Sequence, residues 1–143
     1  MTVNAFFDTN ILLYALGAPA GSSTDARNEA AYRLVDAGGR ISVQILNEFT
    51  DVAVRKLQLS WPTIQELLAL TEVLCGKALP LTSEAQKSAV SIASRLGYRI
   101  YDAMIVASAL EAGCTKLYTE DLHHGQVVEG LRIENPFRGL ATP

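Results

Sequence analysis

Asp8, Glu48, Asp102 and Asp121 lie far apart in the 143-residue chain, yet all four are predicted at the carboxyl-end rim of one parallel sheet. Like charges gathered at one rim repel and raise one another's pKa, so such a cluster is stable only with cations among its members. Oxygen-only ligands select hard ions, which makes Mg2+ or Mn2+ the natural filling. Such ions take one or two carboxylates together with water and substrate phosphate. The chemistry implied is hydrolysis of a phosphodiester by a metal-activated water.

Taken singly, each acid has a plainer explanation. Asp8 interrupts the apolar run VNAFFDTNILLYA, and Asp is a favoured helix cap. Asp102 stands at the start of YDAMIVASAL, a segment apolar almost all round, as in a buried helix. A helix start favours negative charge, so capping also accounts for its position. Capping does not account for an acid at the end of the most buried helix. Arg99, three residues earlier, is placed to pair with Asp102 or to face a substrate phosphate. Glu48 borders the apolar stripe of Ile45, Phe49, Val52 and Ala53, whereas Asp51 falls toward solvent with Arg55 four residues on, the usual surface ion pair. Glu120 and Asp121 alone read as a solvated turn. Convergence of four acids on one rim is the stronger signal.

The elements that must position them follow from the apolar pattern. Val3–Phe7 is a short apolar run of the kind buried on both faces of a sheet. Arg40–Val43, the proline-containing Gly76–Leu81, Lys116–Thr119 and Leu131–Glu134 are the other predicted strands, the second of these being an edge strand if it forms. Helices are expected after Ser22–Asp25 up to Gly38-Gly39, over Gln44–Leu57, from Pro62 to Cys75, from Thr82 to Gly97 and over Asp102–Ala112. Strands alternate with helices and no tight hairpin signal is present, so the expectation is an α/β fold with a parallel sheet of four to five strands and helices on both faces. No repeat or linker divides residues 1–143, which read as one domain. Ligands of such sheets bind beyond the carboxyl ends of the strands.

Half of the residues are apolar (49%), enough for a substantial core. A net charge of −3 argues against a broad basic nucleic-acid-binding surface, but not against an enzyme that grips nucleic acid through metal ions and a few local cations. Cys75 and Cys114 lack zinc-site spacing and read as free thiols. With no signal peptide or membrane-spanning stretch, the expected localisation is cytoplasmic.

DTNILLY at 8–14, NEF at 47–49, YDAMIVASAL at 101–110 and LYTEDL at 117–122 resemble the PIN domain, and more closely the VapC-type toxins of bacterial toxin–antitoxin pairs. The resemblance spans nearly the whole chain, including HHGQVVEGLRIENPF at 123–137. It implies a three-layer α/β/α sandwich and a Mg2+- or Mn2+-dependent endoribonuclease acting on single-stranded RNA. Asp8, Glu48, Asp102 and Asp121 match the family's acidic quartet, with Asp8 and Asp102 as principal metal ligands and Glu48 and Asp121 as supporting ones. Asn10 and Thr119 match small polar residues that support the metal site, and Glu120 is a weak substitute for its neighbour. The resemblance further implies a homodimer held inactive by a small antitoxin, for which the Ser60–Cys75 helix with Trp61, Leu67, Leu68 and Leu70 is a candidate surface. Plain core packing accounts equally for most of those leucines. His123 and His124 read as exposed loop residues.

Two other classes fit a small acidic α/β domain. An aspartate phosphatase needs a second Asp two residues after the first, where this chain has Asn10. A receiver domain needs its phosphoacceptor after the third strand, where this chain has Pro80-Leu81-Thr82. The remaining alternative is a non-catalytic partner-binding module whose acids only cap helices.

Overall fold

The computed structural model describes residues 4–17 and 26–140. The expected caps Ser22–Asp25 and residue Val3 lie outside the described residues. The core of the sheet is β1 (Ala5–Phe7), β2 (Lys116–Tyr118) and β4 (Leu131–Glu134), with β3 (Val127–Val128) at one edge in the order β1-β2-β4-β3. β1 and β2 are parallel, with Phe6 opposite Leu117 and Phe7 opposite Tyr118. β2 and β4 are also parallel, with Leu117 opposite Ile133. Phe6, Leu117 and Ile133 are therefore aligned across the three strands, and all are fully buried.

The predicted strands at Arg40–Val43 and Gly76–Leu81 are reduced to single parallel bridges, Phe6 with Arg40 and Ser42 with Leu79. Their backbone bonds are nonetheless formed: Phe7 N–H donates to the Arg40 carbonyl (3.1 Å), and Leu79 N–H donates to that of Ile41 (2.9 Å). Two local causes limit them. The next helix already begins at Val43, and Pro80, lacking an N–H, cannot extend the pairing beyond Leu79. A second departure is the β3–β4 hairpin, which is antiparallel. Its two-residue turn, Glu129-Gly130, has φ of 49° and 90°. Positive φ at both positions is the mark of a type I′ turn. Glu in that first position is far from the usual Asn, Asp or Gly, which is why no hairpin signal is visible in the sequence.

The helices are α1 (Thr9–Leu12), which runs into a π-helical turn at Leu13–Gly17, then α2 (Ala26–Asp36), α3 (Val43–Arg55), α4 (Trp61–Cys75), α5 (Ser83–Leu96) and α6 (Ile100–Glu111). α6 is buried over seven consecutive residues, Ala103–Ala109, and packs against α5, β2 and β4. Its run of small and aliphatic side chains suits a helix enclosed on every side. α5 is capped by Thr82, whose hydroxyl accepts from Ala85 N–H at 3.0 Å, and ends at the left-handed Gly97. Among the described residues no helix is long and apolar enough to cross a membrane.

Close packing at the end of β1 requires one glycine. A Cβ on Gly39 would stand 2.3 Å from Cε2 of the fully buried Phe7 ring. Gly39→Ala is therefore expected to cost about 1–3 kcal/mol of stability, read as a lower denaturation midpoint. Phe7→Leu in the same chain should recover part of that loss, and full additivity of the two changes would contradict the contact.

Candidate active site at the carboxyl ends of the strands

β1 ends by delivering Asp8 into the interior, where only 4% of its surface is exposed. The Asp8 main-chain N–H continues the sheet by donating to the Tyr118 carbonyl (3.0 Å). Its carboxylate caps α1, accepting from Thr9 N–H at 2.7 Å, and also accepts from the Thr119 hydroxyl at 2.7 Å. Thr119, fully buried one residue beyond β2, in turn accepts from Asp121 N–H at 3.1 Å. The ends of the two adjacent strands are thus joined by a relay from Asp121 through Thr119 to Asp8.

One further acid, Glu48, is attached to this relay. The Thr9 hydroxyl donates to Glu48 Oε2 at 3.0 Å, and the buried Gln44 amide, one turn earlier on α3, donates to Glu48 Oε1 at 2.7 Å. The same Gln44 nitrogen reaches the Tyr101 carbonyl at 3.0 Å, which ties α3 to the start of α6. Asn10 donates to Asp121 Oδ2 at 3.0 Å. Thr9 and Gln44 are positioning residues that the sequence reading missed. The only signal for either was its closeness to a candidate acid, Thr9 beside Asp8 and Gln44 at i−4 from Glu48.

Asp102 is the third residue of α6, and Arg99 occupies the cap position. A plain capping role therefore does not explain Asp102. Its pKa is raised, first by partial burial and then by the charge of Asp121, while Arg99 pulls it back down. Asp8 is raised to about 6, mainly by burial, against its two hydrogen bonds and with added repulsion from Asp121 and Glu48. Glu48, Asp102 and Asp121 line one open cleft of about 520 Å³ together with Arg99, Gln44 and Tyr101. Three carboxylates thus face a single guanidinium in the cleft, with Asp8 behind them.

Other candidates stand apart. Asp51 is paired with Arg55 at 2.5 Å on the surface of α3. Glu120 is hydrogen-bonded to Tyr14 and does not line the cleft. His123 and His124 are exposed, and His124 Nδ1 accepts from Asn135 N–H at 2.9 Å. Trp61 is 61% exposed at the start of α4. Both cysteines are free and buried.

No three acids, imidazoles or thiols among the described residues stand close enough to share one ion. The donor set is nevertheless of the right kind: hard carboxylate oxygens, mutually repelling and short of positive charge. Mg2+ commonly uses only one or two protein carboxylates and completes its shell with water and phosphate, so an open rim of acids fits it better than a closed cage would.

The raised pKa of Asp8 has a consequence for the metal-free protein. The folded state holds this proton more tightly than the unfolded state does. Stability is therefore lost as pH rises from about 4 through about 6, and the penalty is complete above that. With cations removed by chelator, Asp8→Asn is expected to stabilise the fold at pH 7.5 by up to about 3 kcal/mol, a gain that vanishes near pH 4. Thermal denaturation across this range checks it, and a difference independent of pH would contradict it.

Comparison with solved structures finds chains of the same fold. A toxin–antitoxin complex from Klebsiella pneumoniae matches with a TM-score of 0.67 at 18% identity, covering 92% of this chain and 97% of that one. VapC20 of Mycobacterium tuberculosis, a toxin that cleaves the sarcin-ricin loop, matches at 0.60 and 22% identity, covering 82% and 91%. FitAcB from Neisseria gonorrhoeae matches at 0.62 and 18% identity, covering 94% and 99%. Comparison with curated proteins by sequence gave no match. These likenesses establish the fold, and the PIN domain family model matches residues 5–129, nearly the whole chain. The chain belongs to the PIN domain family.

Proposed function

We propose that this protein is a Mg2+- or Mn2+-dependent endoribonuclease and the toxin of a toxin–antitoxin pair, with residues 1–143 acting as one domain. The observation that carries the reading is one cleft lined by Glu48, Asp102 and Asp121 with a single arginine, together with the buried Asp8, whose carboxylate feels the charges of Asp121 and Glu48. Asp8 and Asp102 are the principal metal ligands in this reading, with Glu48 and Asp121 supporting them. Family membership removes the receiver and phosphatase alternatives as folds. The toxin–antitoxin complex and the sarcin-ricin-loop-cleaving toxin among the structural neighbours support the biological role.

A divalent cation bound here supplies charge neutralisation and water activation for phosphodiester hydrolysis. The protein's own residues supply position. Thr9 N–H and the Thr119 hydroxyl fix the Asp8 carboxylate, Asn10 holds Asp121, and Gln44 and Thr9 hold Glu48 from both sides. Arg99 offers a guanidinium to an RNA phosphate at the cleft edge. Cation binding favours ionised Asp8 and so reverses the pKa rise that burial produces. An antitoxin and a second copy of the chain are the protein partners in this reading. The exposed Trp61, Leu70 and Val73 of α4 supply apolar surface for such a contact, whereas Leu67 and Leu68 pack against the core.

The test is cleavage of single-stranded RNA by the purified protein with Mg2+ or Mn2+. Thr119→Val is expected to lose roughly 10- to 100-fold, Asp8→Asn and Asp102→Asn more than that, and chelator all activity. Asp51→Asn, on the outer face of α3, should cleave normally. Cleavage that persists in both Asn variants, or in chelator, would sink the assignment.

A further inference from the structure

Beside the acidic cleft lies a second recess, of about 370 Å³, walled by Leu81, Ile100, Tyr101 and Met104. The two share Gln44, Leu81 and Tyr101 as common lining, so they adjoin, one recess being acidic and the other free of charged residues. None of the residues lining the second recess is charged. Its size falls within the roughly 300–1,000 Å³ usual for small-molecule pockets. Its rim carries Ser83 and Gln86, neither of which uses its side chain in a hydrogen bond among the described residues.

Tyr101 lines both recesses. It is 65% exposed although it opens the most buried helix of the protein, and Ile100 and Leu81 beside it are 42% and 45% exposed. Its main chain is not free to drift. The Gln44 amide that holds Glu48 at 2.7 Å also holds the Tyr101 carbonyl at 3.0 Å, so one side chain sets the spacing between this aromatic and the acids. Arg99 stands at the cleft on the preceding turn. A single strand of RNA presents the same alternation: charged phosphates, and unpaired bases that stack on aromatic rings.

We propose that the recess walled by Leu81, Ile100, Tyr101 and Met104 binds one unpaired nucleobase next to the scissile phosphate, with the Tyr101 ring as its stacking surface. This rests on the ribonuclease reading and adds the feature that selects single-stranded over paired substrate. Adjacency to the acidic cleft, the absence of charge in the recess and unused polar groups at its rim favour a base over a phosphate or an acidic peptide. Because Tyr101 is largely exposed, replacing it leaves the core intact.

The experiment is a cleavage series on a single-stranded RNA oligonucleotide, together with copies made abasic at one position at a time around the cut. Tyr101→Ala is expected to raise KM roughly tenfold with little change in kcat, and Tyr101→Phe, which keeps the ring, to recover most of that binding. One abasic position should weaken the wild-type protein to a similar extent and the Tyr101→Ala protein hardly at all. Independent, additive losses would overturn the proposal. So would loss of a dimer in Tyr101→Ala with activity returning at high protein concentration, since the recess would then be covered by a second copy. Should the wild-type protein cut no RNA, the ribonuclease reading fails by itself. Binding of the same oligonucleotides in chelator then decides the recess: tighter binding by wild type than by Tyr101→Ala, lost at one abasic position, upholds it, and equal binding rejects it.

Discussion

The Asp8 carboxylate is almost fully withdrawn from water, and an isolated buried charge is costly unless hydrogen-bonded or paired. Much of the surrounding structure answers that constraint. α1 begins where its first N–H meets Asp8, and β2 ends so that Thr119 can donate to the other carboxylate oxygen. Parallel pairing of β1 with β2 sets the register that makes both contacts possible, because Phe7 lies opposite Tyr118 and the two chains leave the sheet together. Two hydrogen bonds do not fully offset burial, and the raised pKa measures what remains. The residual is an excess of negative charge at the strand ends.

Around Asp8 the acids are held by neutral donors. Thr9, Gln44, Asn10 and Thr119 contribute hydroxyls and amides that orient carboxylates without neutralising them. Arginines in those places would have compensated the charge. The one guanidinium in the cleft, Arg99, lowers the Asp102 pKa without removing the excess of negative charge. Gln44 serves a second purpose by anchoring the start of α6, so that Asp102 and Tyr101 are placed relative to Glu48 by one side chain.

Much of this was legible in the residues alone. The apolar run ending at Phe7, the run at Leu131–Glu134, the helix starts near Pro62 and Thr82 and the all-apolar run of α6 correspond to elements of the structure within a residue or two. Asp51 was separable from Glu48 because an i,i+4 partner and helical phase are local facts. What could not be read was set by contacts distant in sequence. Arg40–Val43 and Gly76–Leu81 carry strand-like composition, yet each pairs at a single point because of the early start of α3 and the missing N–H of Pro80. The Glu129-Gly130 turn lacks the usual residue for its left-handed first position, and the strands on either side hold it there.

By itself, the sequence determined most of the helices and the three central strands, where charge interrupts apolar runs, and that Asp8 and Asp121 follow strands, Asp102 stands at a helix start and Glu48 borders the apolar stripe of a helix. Those properties follow from periodicity and local backbone chemistry, which operate over a few residues. Only the tertiary structure decided that Thr119 faces Asp8, that Thr9 reaches Glu48 across 39 positions, and that Glu120 pairs with Tyr14 while Asp121 lines the cleft. Such choices depend on sheet register and helix placement. A shift of one residue along β2 would reverse which side chain faces inward, and no local pattern specifies that outcome.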